Sequence, residues 1–244
     1  MRGACLGAGT AALVLALAAG PAWATRPLDT DDTDTNDPGV VSLELGADYT
    51  RNGGEGTALV TGLVAVGLLT GLELDVQGSL LLLDPEGAGP RGGPGDSLVF
   101  FRYRFLDEAD TRPSLLGELT LRFPTGEASR GLGSPGIDAQ LLLVGQKQVG
   151  PVVLLANVGY TFTASGSDLW FLSAAVRYAL TDAWTLVAEG VGIVSAGSGP
   201  DTALIRGGVA YQLTKGITLD AALAGGIGRD SPDVVLRTGI SIDF

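Results

Sequence analysis

The sequence predicts an all-β fold, a transmembrane antiparallel β-barrel of about 12 strands with both termini periplasmic. Three observations predict it. The chain opens like an exported protein. It is apolar without a run long enough for a spanning helix. The rest breaks into segments of about ten residues in which apolar and polar side chains alternate. Residues 1–24 read as a signal peptide, 25–39 as an acidic periplasmic leader and 40–244 as an outer-membrane β-barrel.

The signal is legible in three parts: Arg2 as the positive start, Ala11 to Ala19 as the apolar stretch, and Ala22-Trp23-Ala24 as a small-x-small cleavage pattern, with cleavage near Ala24. The expected location is the outer membrane of a Gram-negative bacterium. The one cysteine, Cys5, lies inside the signal and before its apolar run, not at its end, where a lipoprotein attachment site would fall. There is no histidine. Serine–histidine triads, cysteine–histidine pairs and His- or Cys-based metal sites are therefore excluded from the mature chain. Neither an enzyme activity nor a cofactor is expected, and the residues supply no catalytic, cofactor-binding or metal site. An excess of 27 acidic over 15 basic residues argues against a nucleic-acid partner.

Charged residues make up only 17% of the chain and the mean hydropathy is +0.33. Yet the longest apolar stretch past the signal, Leu59 to Leu72, falls short of the roughly 18 to 20 residues a spanning helix needs. Gly62, Gly67 and Gly71 interrupt it. A closed barrel is the other backbone arrangement that satisfies its own hydrogen bonds in lipid.

The strands are expected at 40–51, 57–67, 72–83, 97–106, 114–123, 136–147, 152–163, 169–180, 184–194, 203–213, 217–226 and 233–244. One set of connections is short, such as 148–151 and 181–183. The other is mostly longer and rich in Gly and Pro, such as 84–95, 124–135 and 195–201. This asymmetry is that of short periplasmic turns and longer external loops. Within strands the charges respect one parity. Leu43, Leu45, Ala47 and Tyr49 oppose Glu44 and Asp48; Leu72, Leu74 and Val76 oppose Glu73, Asp75 and Gln77; Leu236, Ile240 and Ile242 oppose Arg237, Ser241 and Asp243. Only Arg51 and Lys147 fall on the apolar parity, both at strand ends. Outward aromatics gather near strand ends as an interfacial girdle would, Tyr103, Tyr178, Trp184 and Tyr211 at one level and Tyr49, Tyr160, Phe162 and Trp170 at the other.

The chain ends on an alternating strand whose last residue is Phe244, which resembles the C-terminal signature of outer-membrane proteins and implies the assembly machinery as a partner. A wider resemblance rests on Arg26-Pro-Leu-Asp-Thr-Asp-Asp32, Glu44 with Tyr49-Thr-Arg51, Gly95-Asp96 leading to Arg102-Tyr-Arg-Phe105, Phe123-Pro-Thr-Gly126 with Gly131-Leu-Gly-Ser134, and Asn157-Val-Gly-Tyr160. Together these resemble the outer-membrane family labelled putative MetA-pathway of phenol degradation, whose members are barrel proteins described as transporters. At Arg102 the chain departs from the family's usual lysine, which keeps the charge but changes its geometry.

The inward parity collects Glu73, Asp75, Arg102, Arg104, Glu118, Arg122, Asp138, Arg177, Glu189, Arg206, Asp220 and Arg237. These twelve are either a salt-bridge lattice that holds the barrel or a constriction that selects a solute, and one set of residues can be both. Inward apolar positions, Leu98, Phe100, Leu116, Leu142, Val144, Val153, Leu155, Phe171 and Val187, suit an aromatic or aliphatic solute if the faces are assigned correctly. The acidic leader, Thr30 to Asp37, reads as a solvated segment, as a calcium loop lacking the central Gly and terminal Glu of an EF-hand, or as a plug that pairs with lumen arginines. The expected function is passive transport of small hydrophobic or aromatic solutes across outer-membrane lipid. The alternative is a closed structural or surface-interaction barrel whose loops carry the function.

Overall fold

The computed structural model describes residues 26–244 apart from Ala88 and Arg229. The signal peptide and Cys5 lie outside the described residues. Successive segments of alternating apolarity cannot bury one face alone, so they pair edge to edge until the sheet closes. The strands are β1 (Val41–Asn52), β2 (Glu55–Leu69), β3 (Leu72–Asp84), β4 (Arg91–Pro94), β5 (Ser97–Leu106), β6 (Ser114–Phe123), β7 (Asp138–Val149), β8 (Val152–Phe162), β9 (Leu169–Ala179), β10 (Trp184–Ser195), β11 (Thr202–Thr214), β12 (Ile217–Gly226) and β13 (Val234–Asp243). Each long strand pairs antiparallel with its neighbours, β3 bonds both β2 and β5, and β1 closes on β13. Twelve strands thus form the wall.

The thirteenth element, β4, was not anticipated. It lies in the Gly- and Pro-rich stretch after β3 and extends that strand's outer end, with Leu80 to Leu83 opposite Pro94 to Arg91. A proline is tolerated there because β4 is a short edge. The sixth barrel strand, β7, begins at Asp138, two residues later than expected. Pro135 has no N–H for a ladder, and the Gly136 N–H turns into the loop toward Ser134 Oγ at 3.4 Å.

Register fixes which side chains enter the barrel. In β6 every second residue is buried, Ser114 through Arg122, and in β3 Glu73, Asp75 and Gln77 are buried while Val76, Leu80 and Leu82 are exposed. An exposed apolar belt belongs in lipid, so buried means lumenal here. Both off-parity cations sit at strand ends. Lys147 Nζ donates to Glu108 at 2.9 Å and to the Ala109 carbonyl at 2.7 Å, and Arg51 Nε donates to the Gly53 carbonyl at 3.3 Å. Trp184 stacks on Tyr211 with ring centroids 4.6 Å apart, and at the opposite end Tyr160 meets Trp170 edge-on at 4.8 Å.

Apart from the two-residue turn between β1 and β2, the shortest turns lie at one end of the barrel. Gly71 and Gly150 sit there with φ of 76° and 60°, backbone that side chains with a Cβ rarely adopt. An even strand count brings the start of β1 and the end of β13 to that same side, where Ser42 pairs with Asp243 and Phe244 N–H donates to the Val41 carbonyl at 3.1 Å.

Leu45 lies midway along β1, facing out between Gly62 and Ile240. Leu45→Arg places a guanidinium in the hydrocarbon and should cost about 2–4 kcal/mol of folding stability, against little for Leu45→Phe. Urea titration of the refolded barrel followed by gel mobility measures this; equal midpoints for both variants would refute the outward assignment.

Candidate functional site

The lumen is occupied by the chain's own leader. Arg26 to Thr33 are all buried, although the segment has no helix or strand. What holds it is pairing of its charges with those of the wall. Asp29 bonds Arg206 at 2.8 Å and Arg237 at 2.7 Å, Asp31 bonds Arg102 at 3.0 Å, and Asp32 bonds Arg177 at 2.9 Å. The polarity then reverses, with Arg26 on the leader and Asp220 on the wall at 3.1 Å.

Backbone groups are satisfied by the same wall. Glu189 accepts the amides of Asp29 and Thr30, and Arg102 and Arg104 donate to the carbonyls of Asp32 and Thr33. Asn157, in the orientation its neighbours require, accepts from Asp31 N at 2.7 Å and donates to Asp31 O at 3.1 Å. Leu28 packs on Leu155, Ala175 and Val187. Of the three readings of the leader, the described residues show insertion into the barrel. Asp29, Asp31 and Asp32 each point to an arginine, not to a common centre, and among the described residues no cluster is arranged to hold a metal.

The twelve inward charges separate by partner. Arg102 is the hub, within 2.6 Å of Glu73 and 3.7 Å of Glu118 besides Asp31. Arg122 pairs with Asp138, and Arg206 pairs with Glu189. Two pairings that neighbouring strands would allow do not form: Glu118 turns to Arg102 and not Arg122, and Asp220 and Arg237 part, Asp220 to Arg26 and Arg237 to Asp29 and Asp48, both at 2.7 Å. Asp75 lies opposite Phe100 and makes no ion pair within 4 Å. Arg104 is partly exposed and also bonds Asp107 at 3.0 Å. The inward apolar positions are as read: Phe100, Leu116, Leu142, Val144, Leu155, Phe171 and Val187 are buried, with Leu98 and Val153 packed beside them.

Sequence reasoning missed the leader's Arg26 and Asp29 as partners. A signal was present in the inward glycines. A Cβ at Gly46 or Gly239 would collide with the Arg26 guanidinium, and one at Gly67 with the backbone of Asn36 and Asp37. Those positions lack side chains because the leader fills the space.

Two spaces flank the leader. The inner one, toward the short turns, measures about 510 Å³ and is bordered by Glu44, Glu73, Asp75 and Arg177. The outer one measures about 130 Å³ and is walled by Leu59, Leu98, Phe171 and Ile193 together with Gln77 and Asp96. A loop roofs it. Asp96, buried at the start of β5, accepts from Gly126 N at 3.1 Å and Ser134 N at 2.7 Å, which draws residues 124–135 inward and seats Leu132 in the cavity.

Residues 24–244 match the family described as Putative MetA-pathway of phenol degradation, so the chain belongs to that family. Among solved structures it is similar to the COG4313 outer membrane channel from Pseudomonas putida F1, at 16% identity and a TM-score of 0.64, covering 89% of this chain and 100% of that one. It is also similar to the NanC porin, at 11% identity and TM-score 0.62 with 83% and 100% covered, and to the CymD monoaromatic hydrocarbon channel, at 11% identity and TM-score 0.53 with 84% and 88% covered. These likenesses establish the fold, a closed outer-membrane barrel. No curated protein sequence matches the chain.

Burial alone would raise the Asp29 carboxyl, but Arg206 and Arg237 outweigh it and hold Asp29 below the ordinary carboxylate range. Asp31 is raised, since burial outweighs the pull of Arg102 and the charge of Asp32 adds to it; Asp34 is raised by Asp32 first and by burial second. A depressed acid stabilises the docked leader above its unfolded value and loses that contribution as pH falls through the folded one. A raised acid works the other way, so docking strengthens as pH falls toward the ordinary value. Protection factors of the 28–33 amides, their exchange rates divided into the intrinsic rate at each pH, should therefore rise from neutral to mildly acidic pH, then fall sharply below the carboxylate range. A monotonic profile would contradict the assignment. Asp29→Ala, which takes from Arg206 and Arg237 one of the two carboxylates each holds, should destabilise the fold by about 3 kcal/mol in urea titrations.

Proposed function

We propose that the protein mediates passive transport of small hydrophobic or aromatic solutes across the outer membrane, with the leader as the constriction. The observation that carries this is the division of the lumen into an outer space of about 130 Å³ and an inner one of about 510 Å³ on either side of residues 26–36. The outer space sets Leu59, Leu98, Leu132, Phe171 and Ile193 beside threonines, Gln77, Gln140 and the charged Asp96, Arg122 and Asp138, an apolar surface with polar groups among it that suits a small organic solute. The name of the CymD channel, a monoaromatic hydrocarbon channel, and the phenol in the family's description agree with that chemistry.

In this reading the short turns and both termini face the periplasm, as the positions of the long loops favour. Signal cleavage near Ala24 leaves the mature chain starting beside Arg26, whose pairing with Asp220 then seats the leader. Strand β13, ending on Phe244, is the segment the assembly machinery engages; it closes on β1, so it is unpaired on that side until the last step. The lumen charges orient the leader and set what passes. The chemistry is passage and not catalysis, because the wall offers paired carboxylates and arginines without a nucleophile–base arrangement.

One observation favours a second reading, a closed barrel with function in its loops. Arg26, Arg102, Arg122, Arg177, Arg206 and Arg237 each hold an ion pair, which is the pattern of a sealed lattice. Single-channel conductance decides between them. The full mature chain should show small discrete steps that grow several-fold when residues 25–38 are removed, and Asp96→Ala, which frees the 124–135 roof, should lengthen the open times. Silence from all three forms would select the closed barrel.

A further inference from the structure

Other buried lumen charges with an unbonded atom, such as Asp31, Glu118 and Arg206, still belong to ion pairs, whereas one stretch of wall holds carboxylates that belong to none. Glu44, Asp75 and Gln77 are buried to 9%, 2% and 5% exposure, and neither carboxylate belongs to any ion pair among the described residues. Glu44 Oε2, Asp75 Oδ1 and Gln77 Oε1 receive no hydrogen bond at all. An unpaired buried acceptor is costly, more so when ionised, and so calls for an occupant. Two of these acceptors are carboxylates and the third is a neutral amide oxygen, so the feature is not merely an accumulation of acids.

The register places the three together. Glu44 lies opposite Leu63, and Leu63 opposite Gln77, so Glu44 and Gln77 flank one β2 residue on a single row. Asp75 sits on the adjacent row, across from Ala65 and two residues before Gln77 on the same face. With strands about 4.8 Å apart, the Cα atoms of Glu44 and Gln77 are roughly 10 Å apart, a span that two side chains can close around one small group. Glu44 and Asp75 border the inner space and Gln77 the outer one, so the three acceptors straddle the level where the two spaces approach.

The leader borders this stretch without bonding to it. Its hydrogen bonds run to β1 at Ser42, to β2 at Gly67, to β3 at Glu73, to β5, β6 and β7, and to β9 through β13, and the Arg26 guanidinium lies over Gly46; none of its hydrogen bonds reaches Glu44, Asp75 or Gln77. The charges nearest Asp75 are Arg102, already shared among Asp31, Glu73 and Glu118, and the carboxylates of Glu73, Asp31 and Glu44. The cation acting most strongly on Glu44 is Arg26 of the leader, which is already paired with Asp220.

We propose that Glu44, Asp75 and Gln77 form a binding subsite for a primary ammonium group carried by a small organic solute. An ammonium offers three donors and no acceptor, which matches three acceptors lacking donors. A guanidinium, a planar fork, would instead favour one carboxylate bidentately. Leu63, Ala65 and Leu98, set between and beside the three, suit the solute's hydrocarbon part. The subsite stands apart from the passage reading, because equilibrium binding does not require the lumen to conduct.

The test is calorimetric titration of the full mature protein in detergent at neutral pH, with benzylammonium chloride as probe, and with benzyl alcohol and tetramethylammonium as counterparts that lack the charge or the N–H donors. Saturable binding of benzylammonium alone is expected, weakened at least tenfold by Glu44→Gln and by Asp75→Asn and left unchanged by Asp182→Asn in an exposed turn. The wild-type comparison of the three probes stands even if a lumen variant fails to fold. No saturable binding of benzylammonium would mean that the carboxylates carry their own protons and would overturn the proposal. So would equal binding of benzyl alcohol or tetramethylammonium, or affinity indifferent to both lumen variants.

Discussion

The structure depends on the compensation of arginines buried inside a barrel. Arg102 and Arg206 are each 1% exposed, and a lone guanidinium in that position would be far costlier than any packing around it could offset. The wall supplies part of the counter-charge through Glu73, Glu118 and Glu189, and the leader supplies the rest through Asp29 and Asp31. Once those carboxylates are in place, the leader has no freedom to be elsewhere. Its irregular backbone is tolerated because Glu189, Arg102, Arg104 and Asn157 take up its amides and carbonyls.

This constraint propagates outward. The leader divides the lumen, so the glycines at 46, 67 and 239 are needed where it passes, and the inner and outer spaces acquire different linings. The outer space is closed a second time by an independent device, the Asp96 carboxylate that pulls in the 124–135 loop. One buried acid thus does for the mouth what three do for the middle. Both depend on charge-assisted hydrogen bonds in a place where water competes poorly.

The wall was legible because lipid outside and polar lumen inside impose a two-residue period that nothing else in the sequence overrides. It placed Glu73, Arg102, Glu118 and Arg206 on one face from parity alone, and it kept Phe100, Leu142 and Leu155 inward despite their hydrophobicity. The strand β4 was hidden because Arg91–Pro94 carries two glycines and a proline, with no alternation to read. The partners of Asp220 and Arg237 were hidden for another reason: strand order suggests neighbours, whereas the actual counterions lie 189 to 208 residues away in the leader or across the β1–β13 seam.

By itself, then, the sequence determined the barrel, its near-exact strand limits and the facing of every charge in the wall, because periodicity is local and the membrane enforces it. Only the tertiary structure decided that the acidic leader lies within the lumen, which acid meets which arginine, and that Glu44, Asp75 and Gln77 are left over. Those outcomes follow from closing a sheet around a segment far away in the chain, and pairing by distance in space leaves no period in the sequence.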